Sequence, residues 1–167
     1  MSQRRAGSYS PDRVSITLGA PTLLGAAVSV ALPNGLAIPH VVDGRGPDAF
    51  LSVARETASN SKSTGADGEV TISESQNRSG MFTVTLTQSS TTNIVLSAML
   101  ALWETGVKFY FSITVIDLDS FGSLYEADEC WIQGWPEAGF GATNGTNTWI
   151  LECANLRMFH GARGLIG

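Results

Sequence analysis

Asp117 and Asp119 form a D-x-D spacing. On a strand, positions i and i+2 share a face, so such a pair could converge on one cation or serve glycosyl transfer. No third ligand accompanies it, and the pair sits where a strand gives way to a turn, so a solvated strand end is the better account. Asp128 and Glu129 are adjacent, and on a strand they would point to opposite faces, which excludes a paired-carboxylate dyad. Asp67 and Glu69 stand two apart at a loop–strand junction, where Asx turn chemistry explains them.

His40 and His160 are far apart in sequence and neither belongs to a motif. A hydrolase triad needs a serine on a sharp turn such as G-x-S-x-G, and the serines here fall in loops or on polar strand faces. Gly139-Phe140-Gly141 starts like a dinucleotide loop but does not complete G-x-G-x-x-G and has no βαβ unit around it. Asn77-Arg78-Ser79 and Asn144-Gly145-Thr146 match glycosylation sequons, which without a secretory signal read as turns. Cys130 and Cys153 lack metal-ligand spacing and read as buried thiols. Trp131, Trp135 and Trp149 could build a sugar-binding platform, but core packing and subunit contact account for them better. The residues therefore assign no catalytic, metal-binding or cofactor-binding group, and the chain is expected not to be an enzyme.

The elements that would position these residues are mostly strands. Hydrophobic residues make up 43% of the chain and charged ones only 15%, against about 25% charged in an average soluble domain. Ser, Thr, Asn and Gly fill the difference, which suits strands, turns and a surface largely covered by other copies. The formal net charge of -5 argues against a sequence-specific DNA binder, which would cluster Lys and Arg. A mildly acidic wall would instead let DNA pass without sticking. Residues 1–11 read as a mobile, polar arm rather than a signal peptide, and 12–167 as a single domain. No apolar run approaches the ~20 residues that span a membrane.

Period-two alternation predicts strands at Val14–Leu18 and Val28–Leu32, the latter ending in a Pro33-Asn34-Gly35 turn. Leu36–Val42 is the expected return strand, confined by Pro39 to an edge or a bulge. Further strands are expected from Phe50 or Leu51 to Arg55, at Glu69–Ser75, Met81–Gln88, Val107–Leu118, Leu124–Gln133 and Thr148–Met158. Ala58–Gly68 reads as a long flexible loop. One helix is expected over Asn93–Glu104, capped by Ser90, Thr91 or Thr92 and ended by Thr105-Gly106. Its apolar residues occupy more than one stripe, so it should be covered on more than one side. The fold class is mainly β, a sandwich or barrel of about eight strands with one flanking helix.

Several segments carry a family resemblance: Tyr9–Val14, Phe50–Arg55, Gly65-Ala66-Asp67-Gly68-Glu69-Val70, Ser79-Gly80, Thr83–Ser90, then Asn93 and Leu96-Ser97. Ile116-Asp117, Ala127–Ile132 and Leu151–Ala154 continue it. Together these resemble phage tail tube proteins, related in fold to the tubes of contractile injection systems and type VI secretion. The stretch from Gly19 to Pro47 is longer than the family pattern. The resemblance implies a structural protein of the virion tail, assembled in the host cytoplasm into stacked, hexameric rings. It implies DNA and a tape-measure protein in the lumen, and sheath, baseplate and terminator proteins as partners, without a membrane. A different ring-forming tail or injection-system part, such as a terminator or a secretion-type tube, is the alternative. A carbohydrate-binding sandwich is the remaining one.

Under that resemblance, residues acquire expected roles. Asn60, Ser61, Lys62, Ser63, Thr64 and Arg45 are candidates for contacts between rings. Ile94, Leu96, Leu100 and Trp103 on the helix are candidates for contacts between subunits. Thr83, Thr85 and Thr87, or Ser112 and Thr114, form polar strand faces suited to a wet lumen.

Overall fold

A computed structural model of the chain describes residues 14–23, 26–27, 29–30, 32, 36, 38–46, 49–117 and 122–161. Its elements in chain order are β1 (Val14–Leu18), β2 (Thr22–Leu23), β3 (Ala26–Ala27), β4 (His40–Val41), β5 (Leu51–Arg55), β6 (Asn60–Thr64), β7 (Val70–Glu74) and β8 (Gly80–Thr87). Then come α1 (Thr92–Glu104), β9 (Phe111–Asp117), β10 (Leu124–Ile132) and β11 (Thr146–Phe159). Seven strands form one antiparallel sheet in the order β4-β1-β9-β10-β11-β8-β5, while β2–β3 and β6–β7 are separate pairs.

The two ends of that order lie close together in the chain. The Val42 N–H donates to the Ile16 carbonyl at 2.8 Å, on the β1 side. Only a few residues later, the Gly46 N–H donates to the Thr85 carbonyl at 2.9 Å and the Thr87 N–H to the Gly44 carbonyl at 2.6 Å. Residues 40–46 thus pass from one margin of the sheet to the other and curl it into a barrel-like enclosure. Closure satisfies backbone groups that a flat sheet would leave at its edges.

Alternation fills the interior. Phe82, Val84 and Leu86 on β8, Phe111, Ile113 and Val115 on β9, and Trp149, Leu151 and Cys153 on β11 all point inward and are buried. Ile16 and Leu18 of β1 join them. Each such side chain contributes about 1.5–3 kcal/mol by leaving water. The helix closes the core with Val95, Leu96, Met99 and Leu100. It stops at Thr105, and Gly106 takes the left-handed φ of +105° that lets the chain turn away.

Four sequence expectations are corrected. The strand expected over Val28–Leu32 is absent among its described residues: Val30 and Leu32 pack on the core without strand pairing. The return strand shrinks to His40–Val41, at the sheet margin just after Pro39, which has no N–H to give a ladder. Asn34-Gly35 and the arm 1–11 lie outside the described residues. The flexible loop expected over Ala58–Gly68 is instead β6 and its turn, paired residue for residue with β7 from Asn60↔Glu74 to Thr64↔Val70. Ser and Thr carry no apolar alternation, so a strand with both faces in water leaves no period-two signal. Finally, β10 shifts register between Ala127 and Cys130, and Glu129 has φ +54°. This extra residue turns Asp128 and Glu129 both outward, so they do not point to opposite faces.

Candidate functional site

The helix start is held from a distance. Asp43 precedes Gly44, whose left-handed φ of +61° packs its backbone against Ser90. The Asp43 carboxylate accepts hydrogen bonds from Ser90 Oγ at 2.8 Å, Thr91 Oγ1 at 2.8 Å, Thr92 Oγ1 at 2.9 Å and the Thr92 N–H at 3.2 Å. Desolvation by burial pushes this carboxyl up, but the combined donors outweigh it and bring it down to about 2. Ser90 Oγ also accepts from the Thr92 N–H at 3.2 Å, whereas Thr91, the residue at the N-cap position, makes no capping bond with its own side chain. The sequence pointed to the three hydroxyls but had no means of finding the remote carboxylate.

His40 Nε2 lies 2.9 Å from Thr92 Oγ1. The Thr92 proton goes to a carboxylate, which can only accept, so His40 donates through Nε2. A nucleophile–histidine–carboxylate relay needs the histidine in the middle. Here the hydroxyl is in the middle and fully buried, so this cluster fastens β4 to the helix and does not activate a nucleophile.

The other chemical candidates do not converge. Asp117 is buried and its N–H donates to the Ser123 carbonyl at 2.9 Å, while Asp119 lies outside the described residues. Asp128 and Glu129 border an open groove of about 430 Å³ with Thr22, Tyr110 and Ser112. Arg157 pairs with Asp128 at 3.2 Å and with Glu126 at 3.4 Å on the surface. Trp149 is buried and donates from Nε1 to Asn93 Oδ1 at 2.9 Å, so it cannot join Trp131 and Trp135 in a sugar platform. Cys130 and Cys153 are direct cross-strand partners, both free and buried. Among the described residues no three of His, Cys, Asp and Glu gather as a cation would require, and no helix is long and apolar enough to cross a membrane.

The assembly candidates divide. Asn60, Ser61, Lys62, Ser63 and Thr64 form β6, and with β7 they make a ribbon in which every strand residue is exposed. Its turn uses Gly68 at φ +86° and an Asx bond from the Glu69 N–H to Asp67 Oδ1 at 3.2 Å. Its stem is pinned: Arg55 donates to the Leu156 carbonyl at 2.8 Å and to Ser59 Oγ at 3.2 Å, and Ser79 Oγ donates to Glu56 at 2.6 Å. Arg45 is not with them. It bridges Leu86, at the other end of β8, and its guanidinium lies 5.1 Å over the Phe50 ring.

On the helix, Leu96 and Leu100 are 1% and 4% exposed and belong to the chain's own core, which corrects their assignment to a subunit contact. Ile94 faces outward, and Trp103 is half-buried edge-on against Phe109 and Tyr110. Thr83, Thr85 and Thr87 on β8, and Ser112 and Thr114 on β9, are half-buried on the outward face of the sheet. β10 and β11 separate the two groups, and Thr87 Oγ1 is already committed to the Gly44 carbonyl at 3.0 Å.

Two exposed apolar features escaped the sequence reading. Phe140 is 95% exposed on a loop held by Gln88, which donates to the Gly139 carbonyl at 2.6 Å, and by Trp135, which donates to Glu104 at 2.7 Å. An aromatic alone in a Gly- and Asn-rich loop was the available signal. The second is a cross-strand row, Ile116–Leu124–Phe159, whose members lie on three neighbouring strands and become adjacent only through register.

Among the described residues, the reactive side chains do not converge on one another, and the features that stand out are exposed surfaces. Residues 33–161 match the family model described as Bacteriophage PhiTE tail tube protein, and the chain belongs to this family of phage tail tube structural proteins, which are parts of the virion. It is 27% identical over 158 residues to Structural protein ORF10 of Pseudomonas phage KPP10, covering 94% of this chain and 84% of that protein. It is also similar to a chain of the extended PVC sheath–tube complex of an extracellular contractile injection system, with TM-score 0.49, 11% identity and 92% of each chain covered. A chain of the anti-feeding prophage baseplate gives TM-score 0.49 and 11% identity, covering 93% of this chain and 98% of that one.

Proposed function

We propose that this chain assembles into stacked, hexameric rings forming the tail tube, through whose lumen phage DNA passes. Assembly takes place in the host cytoplasm around a tape-measure protein, and sheath, baseplate and terminator proteins meet the finished tube. Family membership supports this reading, and the observation that carries it is the β6–β7 ribbon. A two-stranded ribbon is marginal in water by itself, yet this one stands clear of the body with Ile72 69% exposed. Its pinned stem aims it at a neighbour, which makes Asn60–Thr64 contacts between rings. Ile94 and Trp103 then face adjacent subunits, and the Thr83/Thr85 or Ser112/Thr114 face lines the channel. A net charge of -5 keeps that channel from holding DNA by its phosphates. The residues 1–11 serve as an arm to the single domain 12–167. Negative-stain microscopy of the purified protein tests the proposal: tubes or stacked rings with a pore able to admit duplex DNA are expected. A monodisperse monomer at high concentration would overturn it.

A further inference from the structure

Phe140 and the Ile116–Leu124–Phe159 row lie at opposite ends of β11. The loop carrying Phe140 runs directly into Thr146, the first residue of that strand, and Phe159 is its last. Fourteen residues of strand place the two on the order of 40 Å apart. The row members are 41%, 38% and 66% exposed. Leu124 pairs with Ile116 on one side and with Phe159 on the other, so the three share the outward face.

Two features distinguish this arrangement from scattered surface hydrophobics. First, Phe140 is preorganised: Gln88 grips both ends of its segment, donating to the Gly139 carbonyl and accepting from the Gly145 N–H at 3.2 Å. An aromatic on a loop tied at both ends loses less backbone entropy on contact than one on a free loop, which suits it to anchor a neighbour. Second, knob and row are unlike surfaces at opposite ends of one strand. A two-fold contact would match like with like, whereas this pair is heterologous and repeats head to tail. The ribbon leaves the body at the row's end, because Gly80 pairs with Cys153 and the Leu156 N–H donates to the Arg78 carbonyl at 2.8 Å. A copy docked there would meet both.

We propose that Phe140 of one copy seats on the Ile116–Leu124–Phe159 row of the next copy along the tube. This rests on the assembly reading above and assigns that assembly a residue-level joint. The occupant is a second copy of this chain, because the chain belongs to a family of tail tube proteins and each copy carries both the exposed knob and the exposed row.

The test is a Phe140→Cys, Leu124→Cys double variant, assembled and then treated with a short bismaleimide. Cys130 and Cys153 are buried and do not compete. A ladder of covalent multimers on a denaturing gel is expected, absent from either single variant. Phe140→Asp should lower the sedimentable fraction about tenfold, the size of a lost anchor, with the far-UV circular dichroism of the subunit unchanged. Tubes that form without the ladder, or Phe140→Asp assembling like wild type, overturn the joint and leave the tube reading intact. A ladder from Phe140→Cys, Ile72→Cys instead overturns the row as acceptor. A wild-type protein that never leaves the monomeric state overturns both.

Discussion

Asp43 and Thr92 hold each other reciprocally: Thr92 Oγ1 donates to Asp43 Oδ1 at 2.9 Å, and the Asp43 N–H donates back to the same hydroxyl at 3.1 Å. The segment that closes the sheet and the first turn of the helix are thereby one unit. A carboxylate at a helix start also meets the positive end of the helix dipole.

This pair makes stability depend on acid. The carboxyl is lowered from 3.8 to about 2 in the folded chain. A depressed carboxyl contributes stability above its unfolded pKa and loses it as pH falls through the folded one. The contribution is therefore full above about pH 4 and fades toward pH 2. Asp43→Asn should cost about 1–2 kcal/mol at neutral pH, the size of a lost helix cap, and should flatten the acid limb of a urea-melt series. An unchanged acid limb would mean that the carboxylate is not what the helix start depends on.

Gly80 carries a second constraint. A Cβ there would lie 2.7 Å from the Ala54 carbonyl and 2.5 Å from Leu156 Cδ2. The Leu156 side chain could move, but the β5 backbone cannot without losing its ladder to β8. Gly80→Ala should destabilise the chain by about 1–3 kcal/mol, as overpacking does, read from the midpoint of a denaturant melt. Thr71→Ala, on the exposed β7 strand, should stay within about 0.5 kcal/mol.

How legible each part was follows from where the restraint lies. β8 and β9 were readable because Phe82, Val84 and Leu86, and Phe111, Ile113 and Val115, alternate across a half-buried sheet. The helix was readable from its length and its Gly106 stop. β6 was not, since Asn60-Ser61-Lys62-Ser63-Thr64 has water on both faces and no hydrophobic period. The bulge at Asp128-Glu129 depends on the partner strand, so no local pattern marks it. Leu96 and Leu100 were misassigned for a related reason: an apolar stripe states that a helix is covered, but not whether its own chain or a neighbour covers it. The Ile116–Leu124–Phe159 row is set by strand pairing between residues up to 35 positions apart, Leu124 and Phe159, beyond any local reading.

The facing thiols of Cys130 and Cys153 allow a third measurement. A hydrogen bond with Cys153, then burial, pushes the Cys130 thiol far up, and burial closes both to reagents. The thiolate is the nucleophile, so the raised Cys130 is unreactive. The bond with Cys130 lowers the Cys153 thiol, and there burial alone blocks attack. Neither should therefore react with an aromatic disulfide reagent in mildly alkaline native buffer. Both should react once the chain is unfolded in guanidinium. Fast native labelling would show that the β10–β11 ladder opens readily at the bulge.

Stability and assembly should separate along the line between core and surface. Leu100→Ala removes a side chain from the closed interior and should cost about 2–5 kcal/mol, whatever the assembly state. Ile72→Ser alters an exposed ribbon residue and should leave the monomer's melt within about 0.5 kcal/mol. Under the proposed tube, the same change removes apolar surface that a neighbour covers, so sedimentable assemblies should fall while folding persists. Ile94→Ser on the outward stripe of the helix should behave like Ile72→Ser. Measuring melts under monomeric conditions and sedimentation under assembling ones distinguishes the two classes. If Ile72→Ser weakens the fold as much as Leu100→Ala does, the ribbon is held by its own chain, and its role as a contact between copies fails.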